Sequence, residues 1–207
     1  MVAAGRLGRY LKGKRQQRSI MQTLDAGREV YLSAYRQALS KAAQAHDAAL
    51  PEVKVEATEE KLRKPYRYYT LDIFCRRGEK TCPVEVNLAS ADAMAPVREN
   101  WQGLDVTLHP FVWNGLEFRL DGDFADDAAL VAWMDKWMDI AEKKPKDGNR
   151  LSQIVHNVTQ PQRTQAGWSF SVDFGSAPLD AFVELIDVVR ASGAKKLKLG
   201  SFDYPRG

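Results

Sequence analysis

The chain has 207 residues, of which 44% are apolar, 28% charged and 10% aromatic, the composition of a folded globular protein and not of a disordered or fibrous one. No apolar run approaches the roughly 18 to 20 residues that a membrane-spanning helix needs. The formal charge is +3, but residues 1–20 carry six cations (Arg6, Arg9, Lys12, Lys14, Arg15, Arg18) and no anion, leaving the other 187 residues at −3; a body with a globally basic nucleic-acid face is excluded.

Residues 1–20 read as a basic tail that the fold does without, since like charges and three glycines offer little apolar burial against the entropy of ordering. Gly5, Gly8, Gly13 and the cations interrupt every stretch that could serve as the apolar core of a secretory signal. The expected location is therefore cytoplasmic. Nucleic-acid binding is expected only weakly, through this tail.

Residues 21–64 form the second region, a helical arm and linker. From Leu24 to Leu50 the apolar positions Leu32, Tyr35, Leu39, Ala42, His46 and Ala49 alternate at spacings of three and four, which predicts a helix stopped by Pro51. That face would pack on the body or on a second copy of the chain, so self-association or a protein partner through this helix is the partner expectation. The charged run 52–64 reads as a linker or a short polar helix.

Residues 65–207 form the α+β body. Tyr66 to Cys75 is rich in aromatic and β-branched types, and Cys82 to Leu88 alternates as a return strand. Six residues with a central Gly78 separate Cys75 from Cys82, a spacing that suits a hairpin with the two opposed. Two cysteines without a second pair do not make a four-thiolate zinc site, and the expectation is reduced thiols. The segment 90–103 reads as a loop with a helical turn.

Sliding residues 105–148 by 52 positions onto 157–200 gives 13 identities in 44 positions, among them Gly115/Gly167, Phe118/Phe170 and Asp121/Asp173. Chance supplies roughly three at ordinary composition. Each unit reads strand, turn, strand, helix, with Asn114-Gly115 as the hairpin turn of the first. The helices fall at 126–143, with a wide apolar arc around Trp133, and at 178–192, with Gly193 as its stop. The expected fold is α+β: an antiparallel sheet built from two tandem ββα repeats with both helices on one face, plus the N-terminal helical arm, which would cover Trp133.

Candidate chemistry is sparse. His46, His109 and His156 are not paired at helical or hairpin spacing, and no nucleotide, hydrolase or metalloprotease motif occurs. No catalytic residue, cofactor or metal ligand is therefore assigned. Asp121 and Asp173 end matching strands, so a pseudo-twofold could pair them in a groove that takes a ligand or cation; the commoner use of such residues is to cap the next helix. The repeated Lys-Lys-x-Lys-x-Gly offers Lys143, Lys144, Lys195 and Lys196 as anion-binding positions, against the ordinary role of lysines at a helix C-terminus. The functional expectation is a non-enzymatic binding or protein-interaction module. The alternative is an enzyme or a small-ligand or metal binder with its site in the groove between the repeats.

Overall fold

A computed structural model describes residues 19–58, 61–88, 94–124, 127–141 and 151–202. The chain is mixed α+β with sheets that are antiparallel except where Lys196–Gly200 runs beside Leu104–Leu108, and no helix among the described residues is long and apolar enough to cross a membrane.

Helix α1 (Ile20–Ala45) begins where Ser19 and Gln22 form a reciprocal capping box, which satisfies free amides of the first turn. It buries Ile20, Leu24, Tyr31, Leu32, Tyr35 and Ala42. It is part of the body and not an arm: the Ile20 amide donates to Glu99 (2.9 Å) and Arg28 Nε to the Ala177 carbonyl (2.8 Å). Ser19 and Ile20, placed in the tail by sequence, belong to this helix.

The stretch read as helix end and linker is instead strand β1 (Ala48–Glu56), paired antiparallel with β2 (Tyr68–Arg77). Pro51 did not end the helix; the chain left it at His46 and entered an edge strand, where a missing N–H is tolerated. Strand β3 (Lys80–Val84) completes this three-stranded sheet, with Cys75 directly across from Cys82 as the spacing predicts.

The second sheet has the order β4-β5-β10-β6-β9-β7, from β4 (Val97–Trp101), β5 (Leu104–Leu108), β10 (Lys196–Gly200), β6 (Leu116–Leu120), β9 (Gly167–Asp173) and β7 (Asn157–Val158). Strand β8 (Gln162–Thr164) also pairs with β9. Two expectations fail here. The segment 90–103 contributes β4, joined to β5 through Gln102 (φ 51°) and Gly103 (φ 94°), the paired positive φ of a tight hairpin. And Asn114-Gly115 closes no hairpin: β10 inserts between β5 and β6, parallel to the first and antiparallel to the second. The connection is occupied by Trp113, fully buried, whose indole N–H donates to the Gly175 carbonyl (3.0 Å).

β6 and β9 lie side by side with Leu116↔Val172, Phe118↔Phe170 and Leu120↔Trp168 in register. The Phe118 and Phe170 rings stack at 4.9 Å. Helices α2 (Ala128–Trp137) and α3 (Leu179–Ala191) pack on each other and bring Trp133 and Phe182 to this aromatic core. Trp133 is covered by α3, donating to the Ala181 carbonyl (2.9 Å), and not by α1 as expected. α2 is shorter than its apolar arc suggests, since Asp139 takes φ 48° just past its end. The buried Asp127 carboxylate at its start does not cap it; Arg63 and the Tyr66 hydroxyl bind it instead.

Candidate metal centre

The polar heart of the molecule lies where α1, both sheets and the segment before β7 meet. His156 has no exposure at all, and three carboxyl residues surround its ring. Its main chain ties the sheets together: Thr70 N donates to the His156 carbonyl (2.9 Å) and His156 N to the Asp173 carbonyl (2.9 Å). Gly175 makes room for the ring. Its φ is +48°, and a Cβ there would strike the imidazole.

Glu52 reaches the ring from β1. Its neighbours pair as Pro51↔Ile73 and Val53↔Leu71, which sets Glu52 opposite Asp72, and its backbone takes φ 55°. The Glu52 carboxylate accepts from Ser152 N and Ser176 Oγ, and its Oε1 lies 3.2 Å from His156 Nε2. On the other side, Asp72 Oδ1 lies 2.8 Å from His156 Nδ1, an ion-pair approach that lacks hydrogen-bond geometry and leaves Nδ1 unsatisfied. Asp72 also accepts from the Tyr31 hydroxyl (2.8 Å) and from Val86 N (2.6 Å). Asp173, partly exposed at the end of β9, accepts from Gly175 N (2.9 Å). Donor atoms of Asp72, His156 and Asp173 all lie within 4.8 Å of one another.

The electrostatics are unbalanced. Burial opposes charge on His156, yet Asp72 and Glu52 hold its pKa well above the ordinary value. Burial would raise Glu52 and Asp72, but His156 and the donors around them bring both below the usual carboxylate range. Asp173 is pushed up to about 7 by burial and by Asp72, against the pull of His156. Glu85, exposed nearby, is also raised, by burial and by Asp72. Four carboxyl groups thus share one imidazole, and no Lys or Arg among the described residues forms an ion pair with any of the four.

Such a cluster can take up a cation. Glu52 on Nε2 turns Nδ1 toward Asp72 and Asp173, the arrangement of a carboxylate–histidine–metal relay in which an outer carboxylate orients the ligand. With the His156 pKa held well above its ordinary value, Nδ1 carries a proton that a bound cation would displace.

The sequence candidates fall elsewhere. Asp121 and Asp173 are not brought together. They leave opposite ends of the antiparallel β6–β9 pair, about 20 Å apart at the strand rise. A twofold through Phe118 and Phe170 separates equivalent strand ends, so it cannot pair them. Asp121 accepts instead from Lys195 N (2.8 Å) and Lys196 N (2.9 Å), which bring it below the usual carboxylate range against burial. Lys143 and Lys144 lie outside the described residues. Lys195 and Lys196 are exposed. Lys196 lines a groove of about 680 Å³ on the sheet face opposite Phe118 and Phe170, together with Arg119, Lys198 and Phe202.

His156, Glu52 and Asp72 were missed. The one local signal was Asp72, an acid inside an aromatic, β-branched strand. No known family matches the chain, and neither a curated protein nor a solved structure matches it.

Proposed function

We propose that the chain is a divalent-cation-binding module in which Asp72, Asp173 and His156 Nδ1 hold the ion and Glu52 orients the imidazole from behind. The observation that carries this reading is a fully buried imidazole whose Nδ1 lies 2.8 Å from Asp72 Oδ1, with donor atoms of Asp72, His156 and Asp173 all within 4.8 Å of one another. Two carboxylates and one imidazole suit Mn²⁺ or Zn²⁺ better than the all-oxygen cages of Ca²⁺ and Mg²⁺. The ion would neutralise the excess acid and brace the junction of the two sheets and α1. Because Asp72 and His156 are both buried, the role is binding and rigidity, in keeping with a non-enzymatic module. Asp173 and the nearby exposed Glu85 mark the side from which an ion enters.

In this reading β6–α2 and β9–α3 are copies of one duplicated unit, and the ion site was built on the second copy alone. Asp121, the counterpart of Asp173, spends its carboxylate on the amides before β10.

The test is calorimetric titration of chelator-stripped protein with Mn²⁺ near neutral pH. One equivalent should bind with release of a proton and raise the melting temperature, and Asp173→Asn should lose both effects. A stripped protein that neither binds Mn²⁺ nor melts higher in its presence sinks the proposal.

The groove favours a second reading, an interaction face. Arg119 stacks 4.1 Å over Phe202 and pairs with Glu117, while Lys196 and Lys198 project beside them. An acidic peptide fits this lining. Its binding should weaken with salt and vanish in Lys196→Glu/Lys198→Glu; binding that ignores both would remove the reading. Self-association would have to use the outer side of α1, around exposed Val30, since the opposite side is buried in its own chain.

A further inference from the structure

A second cluster lies where α1 meets the β2–β3 hairpin, and its chemistry is different. His46 caps α1 with extended geometry (φ −133°, ψ 155°), and its main-chain N–H donates to the Ala42 carbonyl (3.1 Å). Its ring Nδ1 lies 3.0 Å from the same carbonyl oxygen. A carbonyl oxygen only accepts, so Nδ1 carries the proton and Nε2 presents a lone pair. That lone pair faces sulfur: Cys82 Sγ is 3.9 Å away. Cys75 sits directly across the hairpin from Cys82. One donor atom from each of His46, Cys75 and Cys82 lies within 4.8 Å of the others.

The frame that holds these atoms is independent of the buried centre. Asp47 N donates to the Arg76 carbonyl (2.9 Å), and the Asp47 carboxylate accepts from Gly78 N in the hairpin turn (2.7 Å). The helix end is thereby pinned to the strand that carries Cys75. Around a tetrahedral Zn²⁺ with Zn–S near 2.3 Å and Zn–N near 2.0 Å, donor atoms stand about 3.5 to 3.8 Å apart. The observed 3.9 Å is already close to that, and the others need only modest contraction.

We propose that His46, Cys75 and Cys82 form a three-donor site for a thiophilic cation of the Zn²⁺ class, with the fourth position open on the exposed side of the hairpin. Two sulfurs and one imidazole select Zn²⁺ or Cu⁺ over Mn²⁺, Mg²⁺ and Ca²⁺. The backbone carbonyl on Nδ1 is the outer partner that orients a metal-bound histidine. Cys75 and Cys82 are paired across the hairpin, so both sulfurs project to the same face; Cys82 is exposed and Cys75 buried, and solvent or a partner's donor can reach the remaining position on the Cys82 side. Each cysteine thiol would release its proton to bulk water as the ion binds.

The test uses the full chain, reduced, stripped with chelator and desalted without oxygen, then titrated with Co²⁺ as a spectroscopic stand-in for Zn²⁺. One equivalent should give a thiolate-to-cobalt charge-transfer band with tetrahedral ligand-field bands, and Zn²⁺ should displace it stoichiometrically. Cys82→Ser and His46→Gln alter exposed and half-buried positions, so both should keep the wild-type circular dichroism. Each should weaken Zn²⁺ binding by more than the 10- to 100-fold that loss of an outer-shell partner costs. Asp173→Asn should leave the thiolate-to-cobalt charge-transfer band unchanged, since the buried centre offers no sulfur. The proposal is overturned if no charge-transfer band appears or if the band survives in Cys82→Ser.

Discussion

Asp173→Asn isolates the charge imbalance at the buried centre. In metal-free protein Asp173 is raised from 3.8 to about 7, so the folded state holds its proton more tightly than the unfolded chain. Such a group stabilises below its unfolded value, and the stabilisation is lost as pH rises through the folded one. At about 1.4 kcal/mol per tenfold change, complete loss amounts to roughly 4 kcal/mol. Asparagine keeps an oxygen for the Gly175 amide, which now bonds Asp173 Oδ1 at 2.9 Å, and it cannot ionise. Wild type and variant share every other titrating group, including His156, whose raised value favours low pH, and Asp72 and Glu52, whose lowered values favour high pH. Urea unfolding of both proteins with chelator present, near pH 5 and near pH 8, removes what the two proteins share and leaves the Asp173 carboxyl together with the part of the His156 shift that it supplies. The variant's advantage should widen between the two by roughly 2 to 3 kcal/mol, about 1 M in midpoint for a chain of this size. Saturating Mn²⁺ should then close the gap by stabilising wild type alone, by about 2.7 kcal/mol at a hundredfold excess over Kd. A variant no more stable than wild type near pH 8 would refute the picture of an uncompensated acid.

Three further outcomes follow from the same geometry. Gly175→Ala places a Cβ against the His156 ring at φ +48°; it should cost several kcal/mol in urea unfolding, and wild-type stability would contradict the close approach. Tyr66→Phe removes the hydroxyl on buried Asp127 and should cost about 1.5 to 3 kcal/mol, the range for a hydrogen bond to a charged group; an unchanged unfolding midpoint would show that Arg63 alone satisfies that carboxylate. A chain beginning at Met21 lacks both Ser19, the α1 cap, and Ile20, which is fully buried; it should be less stable by roughly 2 to 4 kcal/mol than one beginning at Ser19, and equal melting temperatures would mean the helix start is dispensable.

What sequence reasoning recovered is what local chemistry determines. The α3 boundaries follow from Pro178 and Gly193 and their fixed backbone preferences, and the Cys75–Cys82 facing follows from a short turn. What it missed depends on pairing between distant segments. β1 carries Pro51 and a charged run, and it is a strand only because β2 lies beside it. β10 enters between β5 and β6 from the far end of the chain, which no periodicity within 105–120 could announce. The wide arc of α2 signalled burial correctly but not by which neighbour. The buried centre draws Glu52, Asp72, His156 and Asp173 from four separate segments. Of these only Asp173 was singled out, for a pairing with Asp121 that the antiparallel register of β6 and β9 rules out. A lone histidine and an acid within a strand are each ordinary; they become a site only when Gly175 lets the ring close on the carboxylates.

The most direct test of the cation centre is anomalous diffraction from crystals of chelator-stripped protein soaked in Mn²⁺. The account predicts an anomalous peak bounded by His156 Nδ1, Asp72 and Asp173, with Glu52 still on Nε2. Mn²⁺ peaks elsewhere and none between those three residues would contradict it.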